Sequence, residues 1–281
     1  MGKYTLLREQ LLSSRVLAPH ELHPIDPDDL PRSALLAVHD STYVDQFLTG
    51  TLDERALRRI GFPWSPALVR RTLASAAGTL AAARAALADQ IAGNLAGGTH
   101  HAFADHGSGY CVFNDIAIAA RALLDENAAG RILVVDLDVH QGDGTAAIFA
   151  DEPRVFTFSM HGAKNFPFTK QTSDLDVELA DGTGDAEYLH TLRTALAIAV
   201  DRARPGFIFY QAGVDPLAED RLGKLALTHA GLRARDRHVL ETARRLGVPI
   251  VLTLGGGYAQ PLAPTLSAHV GTYATAKEVF T

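Results

Sequence analysis

Four short apolar runs recur along the chain: ILVVDL (132–137), RVFTFSM (154–160), GFIFYQA (206–212) and PIVLTL (249–254). Each is rich in Val, Ile and Phe and near-continuous rather than alternating, the pattern of a parallel strand covered on both faces. Around them the apolar positions take helical spacing. SPALVRRTLASAAGTLAAARAALADQIA (65–92) has Ser65 as N-cap and Pro66 in the first turn. A second helix is expected from Asp185 up to Pro205, and a third over 228–247 with Thr228 as its cap and Gly247 as its stop. Strands alternating with helices predict an α/β fold built on a parallel sheet. No linker, repeat or compositional break divides residues 1–281, which predicts a single domain. The stretch from His161 to Asp185 lacks periodicity and reads as a long loop directly after a strand, where α/β folds place their sites.

Composition narrows the field. At 281 residues, 47% hydrophobic and 21% charged, the chain has ordinary globular proportions. A net charge of −6 without any Lys/Arg block gives nucleic acid or an anionic membrane no electrostatic footprint. The single cysteine, Cys111, excludes an internal disulfide and suits a reducing cytosol. No apolar run approaches a membrane span and no signal-like leader opens the chain, so a cytoplasmic location is expected.

The candidate chemistry lies where strands end. In VVDLDVHQGDG, alternate positions of an extended segment share a face, so Asp136, Asp138 and His140 could project together. Such a group is costly to bury without compensation. A divalent cation would supply it, with Asp138 and His140 as an O/N pair that zinc accepts and Asp136 standing behind them. The alternative is that the acids cap the following helix, GDGTAAIFA, and His140 is an ordinary surface residue. In GGTHHAFADHGSGYCVFND (97–115), two glycines precede His100 and His101, which could share general-base and electrostatic duties at neutral pH. The alternative is a surface His pair. Asp215 follows the strand FIFYQA and could add a ligand, or simply form a turn before Pro216. LTLGGGYA presents Tyr258 after three glycines, either as a donor to a developing oxyanion or as a packing aromatic.

Together, GGTHHAFADHGSGYCVFND, VVDLDVHQGDGTAAIF, FTFSMH, QAGVDPLAEDRLG and LGGGYA resemble the zinc-dependent histone deacetylase superfamily, which includes acetoin-utilisation proteins and acetylpolyamine amidohydrolases. The blocks fall in the family's order from about residue 60 to 260, and RIGFPWSP and NFPFTKQTSDLDVEL look like the bacterial and class IV-like branch. The resemblance implies the three-layer arginase–deacetylase fold with a central, mostly parallel, eight-stranded sheet. It implies Zn2+, or Fe2+ in its place, on Asp138, His140 and Asp215. It makes His101 general base and proton donor, His100 its electrostatic partner, Asp136 and Asp143 the carboxylates orienting them, and Tyr258 the residue polarising the acyl carbonyl. Gly109, Tyr110, Phe166 and Leu222 match tunnel and rim positions. A structural K+ is implied near Asp136, Asp138, His140, Ser159 and Met160.

The implied activity is a zinc-dependent deacylase of N-acyl-lysine side chains. Alternatives are a deacetylase of small N-acyl amines such as acetylpolyamines, a two-manganese ureohydrolase of the same fold, or a non-enzymatic metal-binding acyl-ligand sensor. Two departures bear on these. The opening MGKYTLL resembles only the region downstream of a H-R-F-P-M-like segment in relatives, so the first strand and part of the tunnel rim are expected to be missing. IGFPW (60–64) has no acid where several deacetylases grip the substrate backbone. Leu222 stands where polyamine-selective relatives can carry a glutamate. Oligomeric state is not legible.

Overall fold

The computed structural model describes residues 2–281. The first elements are all helical: α1 (Lys3–Ser13), α2 (Arg32–Leu36), α3 (Ser41–Thr49) and α4 (Glu54–Ile60). Helices and strands then alternate as α5 (Pro66–Asp89), β1 (Ile91–Asn94), α6 (Asp115–Asp125), β2 (Ile132–Asp136), α7 (Asp143–Phe149), β3 (Val155–Gly162) and β4 (Leu175–Leu179). The chain continues through α8 (Asp185–Ala203), β5 (Phe207–Gln211), α9 (His229–Leu246), β6 (Ile250–Thr253) and α10 (Ala263–Phe280). The caps explain several boundaries. Ser65 Oγ accepts from the Leu68 N–H at 3.1 Å, and Thr228 Oγ1 accepts from the Gly231 N–H at 3.0 Å. Asp185 opens α8, yet its carboxylate serves α9, accepting from both the amide and hydroxyl of Thr228.

The strands form one parallel sheet in the order β1-β6-β5-β2-β3-β4. Its two faces bury separate cores, which explains the continuous apolar runs. On β2, Ile132 and Val134 join the core containing α5 and α6, whereas Leu133 and Val135 join the one containing α8, α9 and α10. Each fully buried aliphatic side chain of this kind contributes about 1.5–3 kcal/mol.

The sheet departs from expectation in three places. It is parallel as the resemblance implied, but has six strands among the described residues rather than eight. Among the described residues no strand precedes β1, and α1 buries Leu7 and Leu11 in the core on one face of the sheet. The helix expected over 65–92 stops at Asp89, because Gln90 turns left-handed at φ +66° and Ile91–Asn94 pairs with Ile250–Thr253. The loop expected over 161–185 contains the edge strand β4, and β3 itself runs on to Gly162.

Candidate metal centre and active site

The chain leaves β2 at Asp136 and runs out along the sheet to β3 and β4, then returns to β5 on the other side of β2. Loops after β2 and β5 therefore diverge, leaving the crevice in which open α/β sheets bind ligands. Asp138 follows β2 and Asp215 follows β5, so both acids stand at this crevice.

Beyond Asp136 the chain is folded upon its own carboxylates rather than extended. The Asp138 N–H donates to Asp136 Oδ1 at 3.1 Å, the His140 N–H to Asp138 Oδ1 at 2.9 Å, and the Val139 N–H to Asp215 Oδ1 at 2.8 Å. Asp138, His140 and Asp215 are buried and offer ligand atoms within 4.8 Å of one another. His140 Nδ1 lies 2.9 Å from Asp138 Oδ1 and 3.1 Å from Asp215 Oδ2. Burial opposes a charge on His140, but those two hydrogen bonds hold its pKa up at about 10. A proton on His140 Nδ1 would be held between these two carboxylates. Asp136 does not join this group, because its Oδ2 accepts from His100. The reading of Asp136 and Asp138 as helix caps fails as well, since α7 is preceded by Gly142 and has no side-chain cap.

The glycine run brings backbone against these acids. A Cβ on Gly255 or Gly256 would fall within 3.0 Å of Asp138 or Asp215 respectively, and Gly256 has φ +61°.

His100 and His101 form two parallel dyads. Each donates from Nδ1, His100 to Asp136 Oδ2 and His101 to Asp143 Oδ1, both at 2.6 Å. This leaves each Nε2 as the free nitrogen. The rings are 4.1 Å apart and tilted, His100 Nε2 lies 3.9 Å from Asp138 Oδ1, and the His101 ring centre is 5.9 Å from that of His140. Their electrostatics diverge. Burial disfavours the charge on His100, yet Asp136 and Asp138 outweigh it and hold the pKa at about 9. Burial, reinforced by His100, His140 and Lys170, pushes His101 well below its ordinary value. Burial raises Asp143 to about 6. At neutral pH the site therefore pairs a charged His100 with a neutral His101.

Phe166 stands edge-on to His101 at 4.9 Å between ring centres, and Gly109, left-handed at φ +53°, fits between them: a Cβ there would meet His101 at 2.7 Å and Phe166 at 3.0 Å. Tyr110, Leu222 and Tyr258 are half-exposed around the opening, with Tyr110 and Tyr258 rings 6.3 Å apart. The Tyr110 N–H donates to Ile60 O, and the Phe62 ring lies tilted against Tyr110 at 5.2 Å between ring centres, so the IGFPW loop supports this wall. Burial, then the nearby Asp215 and Asp138, push the Tyr258 hydroxyl upward, keeping it a donor. Ser159 pairs in register with Asp136, and Met160 follows it on β3, but Ser159 Oγ bonds to His161 Nδ1.

Several residues at the site carried no role in the sequence reading. Asp115 ties down the His-His turn: its carboxylate accepts from the amides of Gly98 and Thr99 and the hydroxyl of Thr79. Its only signal was its place behind Asn114, the N-cap of α6. Asp220 accepts from the Tyr258 N–H at 2.7 Å and from the amides of Leu222 and Gly223, joining rim to glycine run. Lys3 donates to Gly256 O at 2.6 Å; burial lowers its pKa against the pull of Asp215, Asp138 and Asp220. Nothing in the pattern around Lys3 marks it.

Fold and site define an α/β protein with a buried carboxylate–imidazole cluster at the switch point of a parallel sheet, flanked by two histidine–carboxylate dyads. The family model for the histone deacetylase domain matches residues 1–273. The chain belongs to the histone deacetylase family, and that membership supports a deacetylase function and hence a hydrolase. It is 47% identical over 281 residues to an uncharacterized protein of Picosynechococcus sp., covering 100% of this chain and 93% of the other. It is 30% identical over 255 residues to histone deacetylase 2 of Arabidopsis thaliana, covering 88% of this chain and 66% of the relative. The chain thus spans about two thirds, or less, of the histone deacetylases it resembles. The crystal structure of the HDA15 HD domain superposes with a TM-score of 0.80 at 22% identity, covering 99% of this chain and 80% of that one, which establishes the shared fold. Histone deacetylases are generally metal-dependent, in keeping with the buried Asp/His/Asp group. No helix among the described residues is long and apolar enough to cross a membrane.

Proposed function

We propose that the chain is a zinc-dependent deacylase that hydrolyses N-acyl-lysine side chains. The observation that carries this reading is the convergence of Asp138, His140 and Asp215 beside the His100–Asp136 and His101–Asp143 dyads. The donor set fits the ion: two carboxylates and one imidazole suit zinc, and three protein ligands leave a position open. Bound there, zinc supplies Lewis acidity, making water nucleophilic near neutral pH and polarising a carbonyl. His101, neutral and held by Asp143 through Nδ1, accepts the proton of the attacking water at Nε2. As the amide C–N bond breaks, it returns that proton to the departing lysine amine. His100, kept cationic by Asp136, offsets negative charge developing on the former carbonyl oxygen. The Tyr258 hydroxyl, held protonated, donates to the same oxygen, a contact whose loss typically costs about 10²–10³ in rate. Phe166 and Gly109 form the walls against which an aliphatic side chain packs and from which water is excluded.

Iron in place of zinc, a structural K+ among Asp136, Asp138, His140, Ser159 and Met160, an acyl-lysine protein as substrate and a cytoplasmic location belong to the same proposal. The alternative substrate is a small N-acyl amine. The test is hydrolysis of fluorogenic acyl-lysine peptides, acetyl to long-chain, by zinc-loaded protein beside His101→Ala. Turnover lost in that variant supports the reading. Zinc bound but no turnover on peptides, with cleavage of acetylpolyamines, moves the substrate to small amines. Inactivity on both leaves a non-catalytic acyl-ligand sensor.

A further inference from the structure

Helix α9 contributes a charged pair to the interior. Arg235 is 0% exposed and Asp236 1%. The Arg235 Nε donates to Asp236 Oδ1 at 2.9 Å, and Asp236 also accepts from the Tyr210 hydroxyl at 2.6 Å and the Thr272 hydroxyl at 2.7 Å. Removing a guanidinium from water is costly, and an apolar side chain would fill the same volume without that cost. What Arg235 does with its remaining donors is therefore informative. Nη1 donates to two backbone carbonyls, Leu137 O at 3.2 Å and Gly213 O at 2.5 Å. Leu137 immediately precedes Asp138, and Gly213 lies two residues before Asp215.

These two carbonyls belong to the loops that diverge at the crevice. The β2–β5 ladder ends at the pair Asp136 and Gln211. Past it, the Leu137 N–H still reaches Gln211 O and the Val139 N–H reaches the Asp215 carboxylate. Between those bonds the guanidinium takes over from the ladder, fixing one loop against the other within two residues of both acids.

We propose that Arg235, held by Asp236, is a positioning residue for the metal centre, setting the spacing of Asp138 and Asp215 through the carbonyls of Leu137 and Gly213. The inference rests on the reading of Asp138, His140 and Asp215 as zinc ligands. Lysine keeps the cation beside Asp236 but lacks the planar fork needed to hold both carbonyls and the carboxylate together. The experiment titrates zinc alone against a chromophoric chelator in Arg235→Lys and in the charge-free double variant Arg235→Met/Asp236→Leu, with thermal midpoints of the metal-free proteins. Loss of an outer partner typically weakens metal binding 10–100-fold. The expected result is a zinc dissociation constant raised about tenfold in Arg235→Lys and about 100-fold in the double variant. A purely structural pair gives the opposite pattern, a lowered midpoint with unchanged zinc affinity in the folded protein, and that overturns the proposal. Should the double variant not fold, Arg235→Lys decides alone, and an affinity within twofold of the parent refutes it. If the parent itself takes up no zinc, the deacylase reading falls and this inference with it. If the parent binds zinc and the variants bind it equally, only the inference falls.

Discussion

Gly256→Ala tests whether the glycine run exists to admit the carboxylate of Asp215. A Cβ at 256 would approach that carboxylate closer than 3.0 Å, where 3.4 Å begins ordinary contact, so the group must retreat by at least about 0.4 Å. It has nowhere to go. Asp215 is fully buried, and its two oxygens are engaged by the Val139 N–H and by His140 Nδ1. Metal sites tolerate ligand displacements of about 0.2 Å, so the expected shift is at least twice the allowance. Disturbing an outer partner already costs 10–100-fold, and displacing a ligand should weaken zinc binding about 100-fold or more. Alanine at φ +61° adds a separate backbone cost of about 1–2 kcal/mol. Gly247→Ala isolates that cost: Gly247 has φ +66° but nothing within 4 Å of its Cβ position. Zinc affinity measured by chelator competition should collapse in Gly256→Ala and stay at the parental value in Gly247→Ala, with the thermal midpoint lowered by backbone strain in both and further by the steric clash in Gly256→Ala. A folded Gly256→Ala protein that binds zinc normally would refute the steric argument.

Tyr258→Phe should lose about 10²–10³ in kcat while retaining zinc, because it removes one donor and leaves the ring in place; unchanged kcat would remove Tyr258 from the chemistry. With Asp143 raised to about 6, kcat/KM should fall roughly tenfold per pH unit below that value, as protonation takes away the acceptor for His101 Nδ1–H, and Asp143→Asn should abolish this limb. A flat profile down to pH 5 contradicts that assignment. His140, held protonated to about pH 10 without metal, must shed that proton to become a ligand, so zinc uptake at pH 7.5 should release one. Calorimetry in buffers of different ionisation enthalpy measures the release, and none would remove His140 from the ligand set. Asp115→Ala strands the amides of Gly98 and Thr99 and the Thr79 hydroxyl, at about 1–3 kcal/mol each. Its thermal midpoint should drop by at least about 5 °C at this chain length, and a smaller change would mean the His-His turn holds itself.

The parts of this molecule legible in its sequence are those that physics writes locally. β2, β3, β5 and β6 lie inside the sheet, and burial on two faces leaves an unbroken apolar run in each. The edge strands β1 and β4 have no such signature. Ile91–Asn94 continues an Ala-rich helix without a break in composition, and LDVEL alternates weakly within a polar stretch. Strand order was not legible at all, since a parallel pairing leaves no mark on either partner's local pattern. The acids and histidines of the site announced themselves by being charged where strands end, although their individual roles came from family resemblance. Arg235 and Asp236 were hidden for the opposite reason. They sit in LRARDRHVL, a strongly charged stretch, yet among the buried positions of α9, Leu232, Val239, Leu240 and Ala243 follow an apolar stripe at helical spacing in which Arg235 and Asp236 also stand.

Charge accounting links the topology to the chemistry. Four carboxylates, Asp136, Asp138, Asp143 and Asp215, are buried around one crevice. Asp136 is met by the imidazolium of His100, and Asp143 by the Nδ1–H of a neutral His101. That leaves Asp138 and Asp215, which without metal share the single proton of His140 and so retain a net negative charge while buried. Such a cluster is costly to bury as it stands, and a divalent cation neutralises both acids while freeing the imidazole to serve as a ligand. The two acids follow strands adjacent in space but lie 77 residues apart in sequence, so their approach depends on the β2–β5 pairing and on what continues it beyond the ladder. The demand for a cation and the demand for a rigid crevice are therefore one requirement, and it falls on the few residues between the end of the sheet and the ligands.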